Sequence, residues 1–160
     1  MAREIADTSS FVRCLQERAL NQFIKDLDIR FDFQKHIYRG ITLVVINFSR
    51  AVIGESQIFY RYIFDIIDEG SKRIVVDLTS LEFIDSSFAG VLVAALRKVK
   101  ANGGDIRLVV KSGNSLSNQM LFNGILKIYR TYTSIKEALD SFESQQVSSM
   151  SSTFHLSSQK

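Results

Sequence analysis

Residues 73–110 read RIVVDLTSLEFIDSSFAGVLVAALRKVKANGGDIRLVV. The run at 73–78 is apolar and β-branched with almost no alternation, the pattern of a strand in the middle of a sheet covered on both faces. Leu81, Phe83 and Ile84 then form an apolar loop, and Asp85, Ser86 and Ser87 open a helix. Val91, Leu92, Ala95, Leu96 and Val99 recur at steps of three and four, which is one face of that helix, and Asn102, Gly103 and Gly104 close it. A second strand follows at 106–110. Strand, helix and strand with short links make the crossover unit of an α/β sheet.

Working outward, Ile58, Phe59, Tyr62, Ile63, Ile66 and Ile67 give a helix over 55–68, stopped near Gly70. Ile29, Phe31 and Phe33 alternate with Arg30, Asp32 and Gln34, and a turn near Tyr38, Arg39 and Gly40 leads into the β-branched run 41–48, which predicts a β-hairpin. Upstream, Phe11, Val12, Leu15, Ala19, Phe23, Ile24 and Leu27 mark an amphipathic helix over 11–27, with Thr8, Ser9 or Ser10 as its cap. Its apolar face either packs on the domain or meets a partner, because periodicity does not say who covers it. Downstream, 112–117 reads as a polar loop, Leu116, Met120 and Leu121 as a short helix ending near Gly124, 126–129 as a short strand and 134–142 as a last helix. Eight of the twenty residues at 141–160 are serine, which predicts a flexible tail. The expected architecture is an α/β fold with a mixed sheet of about four to five strands and helices packed against it. Its parts are an N-terminal helical extension at 1–28, a domain at 29–142 and a Ser-rich tail at 143–160.

The chain has 160 residues, 46% of them hydrophobic and 23% charged, which suits one globular domain. Its apolar runs fall far short of the roughly 20 residues of a membrane-spanning helix, and its start lacks a signal-type apolar stretch, so no membrane insertion and a cytoplasmic address are expected. Twenty basic against 17 acidic residues leave a net charge of +3, too mild to call for nucleic acid. One cysteine, Cys14, and two histidines, His36 and His155, offer no metal-ligand cluster and no base beside a nucleophile, so neither a metal, a cofactor nor catalysis is expected. Gly103, Gly104 and Asp105 lack the lysine-bearing pattern of a phosphate-cradling loop.

The residues that carry chemistry are the two serines behind an aspartate at a helix start. Backbone amides there have no intrahelical acceptor, and the helix dipole favours negative charge, so a phosphate on a serine is accommodated without refolding. The plainer reading of Asp85 is a helix cap.

Taken together, the VVDLT strand, the apolar FID, Ser86 and Ser87, the small Ala89 and Gly90, the following amphipathic helix and the GGDIRLVV strand resemble the STAS domain, in particular bacterial anti-sigma factor antagonists. The resemblance spans roughly 29–142 and is most specific over 75–110. It implies that Ser86, directly after Asp85, is the phosphoacceptor. It further implies a partner that is both anti-sigma factor and serine kinase of the histidine-kinase-like ATPase fold, and a PP2C-type phosphatase. The resemblance also implies that the unmodified form binds its partner and the phosphorylated form does not. Asp85, Ser86, Ser87, Phe88, Gly90 and Arg50 are then the candidate partner-binding residues. Phe88 stands where many members have glycine, and either anchors in a partner or turns inward. Where many antagonists carry an acidic loop after the second strand, this chain has Asn47, Phe48, Ser49, Arg50, Ala51 and Val52. Arg50 either meets a phosphate or an acidic partner, or is a solvated surface arginine. The alternative function is a STAS phosphoswitch adaptor that controls an enzyme or signalling complex in place of a sigma factor.

Overall fold

A computed structural model describes residues 13–21, 32–112 and 119–155, with side chains described over 13–21, 32–112 and 123–145. A five-stranded sheet runs in the order β1-β2-β4-β6-β7, from β1 (Phe33–Tyr38) and β2 (Ile41–Ile46) through β4 (Arg73–Asp77) and β6 (Asp105–Val109) to β7 (Arg130–Tyr132). β1 and β2 form the expected antiparallel hairpin, with Arg39 and Gly40 both at positive φ in the turn, and every other neighbouring pair is parallel. Two two-residue strands, β3 (Arg50–Ala51) and β5 (Phe83–Ile84), make a separate parallel pair.

Strand alternation sends Ile74 and Val76 to one face and Val75 to the other, so both faces need cover. Helices α2 (Ile53–Asp68), α3 (Ser86–Ala101) and α4 (Gln119–Ile128) cover the first. Phe59, Ile63, Leu92 and Val99 there are at most 1% exposed. Helix α1 (13–21) and α5 (Ile135–His155) lie on the second, where Leu20, Leu139 and Phe142 pack with Leu43 and Val75. Of the expected apolar stripe on α1, Leu15 and Ala19 are exposed, and Leu20, which is not part of that stripe, is the residue that packs on the domain. Phe11, Val12, Phe23, Ile24 and Leu27, the proposed caps Thr8, Ser9 and Ser10 and the strand start at Ile29 and Phe31 lie outside the described residues.

Three expectations are corrected. The stretch 126–129 is not a strand: α4 continues through Gly124 to Ile128, Ile125 and Tyr129 are buried, and the strand follows at Arg130–Tyr132. Burial of Ile125 in the core beside α3 overrides the cost of a mid-helix glycine, about 1 kcal/mol. Second, Ile58 does not belong to the buried stripe of α2; it is 60% exposed, and Ser56 is buried in its stead. Third, the last helix does not end at Phe142 but runs on to His155, while residues 156–160 of the expected tail lie outside the described residues. No Gly or Pro interrupts it, and serine costs a helix only a few tenths of a kcal/mol. Arg107 holds the start of the stretch after Phe142. This fully buried arginine lies over the Phe142 ring at 3.6 Å and donates to Ser141 Oγ and Gln145 Oε1, so the packed domain extends beyond residue 142.

On the same face as Arg107, Asp77 ends β4 at 7% exposure and accepts a hydrogen bond from the Thr79 amide at 2.9 Å. Desolvation raises its pKa above the ordinary value of 3.8, against the opposing hydrogen bonds from Thr79. The folded state therefore holds this proton more tightly than the unfolded chain. Asp77 contributes most favourably below its unfolded pKa, and that contribution is lost as pH rises through the folded one. An Asp77→Asn protein, which keeps the acceptor oxygen, is expected to be more stable than the parent at pH 7 and to lose that advantage toward pH 3–4, read by urea unfolding across that range.

Candidate functional site

The site sits where β3 and β5 deliver the chain into α2 and α3. Ser49 O accepts from the amides of Glu82 and Phe83, and Ala51 O accepts from the Asp85 amide at 2.9 Å, so the two helix entrances are fastened side by side. Val52 caps α2 by its backbone, with Glu55 Oε2 accepting from the Val52 amide at 3.3 Å and Ser56 Oγ donating to Val52 O at 2.7 Å.

Asp85 caps α3: its backbone is extended, and its Oδ1 accepts from the Phe88 amide at 2.9 Å. Ser86 and Ser87 are therefore the first two helical residues, where the amides have no partner within the helix. Ser86 and Gly90 are exposed and Ser87 is half-buried. Replacing Asp85 by alanine removes the cap, and thermal unfolding is expected to show a loss of about 1 kcal/mol. The same variant leaves the Ser86 hydroxyl in place, so loss of stability and loss of the phosphoacceptor are separable.

Phe88 is corrected from its candidate role as a partner anchor. It is 0% exposed, stacks on Phe59 with ring centroids 5.0 Å apart and meets Phe48 edge-on at 6.5 Å. As the third residue of α3 it falls on the helix side that faces α2 and the sheet. Arg50 is exposed, with its guanidinium 4.6 Å over the Phe83 ring, at the same end of the domain as Asp85 and Ser86.

The sequence reading missed a groove of about 480 Å³ that starts beside Ser87 and runs between α2 and α3, lined by Ile53, Tyr60, Arg61 and Val91 among others. Its signal was present as a second stripe on α2, with Ile53, Gln57, Tyr60 and Arg61 at steps of three and four beside the buried one. Among the described residues, no three His, Cys, Asp or Glu side chains are gathered so as to hold a metal ion, and no helix is long and apolar enough to cross a membrane.

The model of the STAS domain matches residues 32–138, from the start of the β1–β2 hairpin into α5. The chain belongs to the STAS domain family. Among sequence relatives of this STAS protein, a proposed anti-sigma factor antagonist from Thermotoga neapolitana is 32% identical over 90 residues, covering 55% of this chain and 78% of the relative. A second, from Thermotoga maritima, is 27% identical over 89 residues, with the same coverage. Solved structures share the fold. An anti-sigma factor antagonist from Mycobacterium paratuberculosis aligns with TM-score 0.59 and 17% identity over 68% of this chain and 91% of that one. The Bacillus cell fate determinant SpoIIAA in its phosphorylated form aligns with TM-score 0.53 and 21% identity over 69% and 98%. The STAS domain here thus has the mixed sheet expected from its sequence, and its relatives carry the name of anti-sigma factor antagonists.

Proposed function

We propose that this chain is an anti-sigma factor antagonist that works as a phosphorylation-controlled binding switch. It engages an anti-sigma factor while Ser86 is unmodified and lets go when Ser86 carries phosphate. The observation that supports this most is the placement of Ser86, exposed in the first turn of a helix whose cap, Asp85, is already fixed by the Phe88 amide. A phosphate there adds about −1.5 to −2 charges on an outer surface, and the nearby free amides and helix dipole accommodate it. The core beneath, closed by Phe88 and Phe59, has no need to move, so the modification changes what the surface can bind and leaves the fold as it is.

The phosphoryl group is supplied by the partner, a serine kinase of the histidine-kinase-like ATPase fold, which transfers it from bound nucleotide to Ser86 Oγ; a PP2C-type phosphatase removes it. No residue of this chain takes a catalytic part, and a sigma-factor role places the protein in the cytoplasm. Intact-mass and peptide mapping of the protein isolated from its own cells, with and without phosphatase treatment, tests the reading. Phosphate on the peptide containing Ser86 and Ser87, located on Ser86, is the expected result. Absence of phosphate across several growth conditions would make the domain a constitutive binding module. Recovery of a target unrelated to sigma factors with the unmodified protein would favour the adaptor reading.

A further inference from the structure

β1 stands at the end of the sheet order, and among the described residues no strand pairs with its outer side. Asp32 O accepts from the Asn47 amide at 3.0 Å, and the hairpin register sets Gln34 against Val45 and His36 against Leu43. Bonded and non-bonded pairs alternate along an antiparallel ladder, so Gln34 and His36 turn their amides and carbonyls to β2. Phe33, Lys35 and Ile37 turn theirs outward. A row of open backbone donors and acceptors is a template for another strand.

Ile37 is 67% exposed, and no described large apolar side chain is more so. Lys35, on the same face of the strand, is held by Glu69 at 2.8 Å. Exposed Asp32 precedes the strand, and exposed Arg39, which also pairs with Glu143 at 3.0 Å, follows it. The edge is therefore acidic at one end and basic at the other, and it complements a second copy of itself running antiparallel. Two-fold registers that bring the outward groups face to face are centred on Lys35, His36 or Ile37. Centring on Lys35 sets that lysine against its own copy, and centring on Ile37 sets it against Arg39; like charges directly opposite are destabilising. Centring on His36 sets Lys35 against Ile37, so that the lysine stem covers the exposed isoleucine, and brings Asp32 of each copy next to Arg39 of the other. His36 then faces His36 of the second copy. Burial holds its imidazole below the ordinary pKa of 6.5, which leaves it uncharged at neutral pH.

We propose that this chain forms a two-fold dimer through β1, with Lys35 opposite Ile37 and His36 opposite itself, giving one sheet continuous across both copies. Each pairing of Lys35 with Ile37 exchanges both backbone hydrogen bonds, and the most exposed apolar side chain is covered at both. Nothing in the seam depends on Ser86.

Sedimentation of the full chain over a concentration series tests this. The parent is expected to pass from monomer to dimer as concentration rises, and the amides of Lys35 and Ile37 should exchange with deuterium more slowly in the dimer. Ile37→Lys sets lysine against lysine at both pairs. It should raise the dimer Kd about tenfold or more while the unfolding midpoint stays near that of the parent. Non-bonded antiparallel pairs stand about 4.5 Å apart at Cα, within disulfide reach. In a Cys14→Ser background, His36→Cys should therefore give a disulfide-linked dimer in a glutathione buffer, and Ile37→Cys should not, because residue 37 opposes residue 35. A chain that stays monomeric up to about 1 mM would overturn the proposal. So would a dimer indifferent to Ile37→Lys, or one that crosslinks at residue 37 in preference to 36. Slow exchange of both amides at every concentration would also overturn it, by showing that the chain covers its own edge.

Discussion

A Ser86→Asp protein is expected to bind its anti-sigma factor at least tenfold more weakly than the unphosphorylated parent, whereas Ser86→Ala binds as the parent does and no longer accepts phosphate at that position. Tenfold corresponds to about 1.4 kcal/mol, a modest demand on a negative charge brought into a contact surface. A full phosphate, with up to twice the charge of aspartate and a larger hydration shell to strip, should exceed the effect of Ser86→Asp. Isothermal titration of the three forms against the same partner measures this. Equal affinity of the alanine and aspartate proteins would remove Ser86 from the switch. Both substitutions sit on an exposed first-turn residue, so unfolding midpoints should stay close to the parent and a loss of binding can be read as such.

Phe88→Ala should have the opposite signature. Its ring is fully buried against Phe59 and Phe48, and truncating a core phenylalanine to alanine costs about 3–5 kcal/mol through lost burial and the cavity left behind. Urea unfolding should register that loss. Phe88→Leu, which keeps much of the apolar volume, should recover most of the stability together with partner binding. An alanine protein of parental stability with weakened binding would instead return Phe88 to the surface role that its position beside Ser86 and Ser87 suggests.

The two residues illustrate what local sequence conveys and what it does not. Ser86 could be singled out because its chemistry depends on neighbours in the chain: an aspartate cap before it, a helix after it and unpaired amides at the start of that helix. The fate of Phe88 depends on Phe59 and Phe48, 29 and 40 residues away, and a single aromatic at a helix start is compatible with either side of the surface. Arg50 is a similar case. Its place beside Phe83 follows from a two-residue strand pair too short to leave a periodic pattern, and that pair also fastens the entrances of α2 and α3 next to each other.

The ends of the domain follow the same division. The serine-rich composition after residue 142 pointed to a loose tail, because composition counts the apolar area a segment can bury by itself. In the folded chain Arg107, deep in the sheet, needs hydrogen-bond acceptors, and Ser141 and Gln145 of α5 provide them, so the start of a polar segment is held by the needs of a residue far from it in sequence.

From the sequence alone come the alternation of strands and helices, the opening hairpin, the capped serine and the resemblance to the STAS domain, because each rests on periodicity or on contacts between residues a few positions apart. Tertiary structure decided the inward turn of Phe88, the groove between α2 and α3, the helical course of the serine-rich segment and the neighbourhood of Arg50. Each of these depends on which distant surfaces meet, and packing against a partner element overrides the small local preferences that a sequence pattern records.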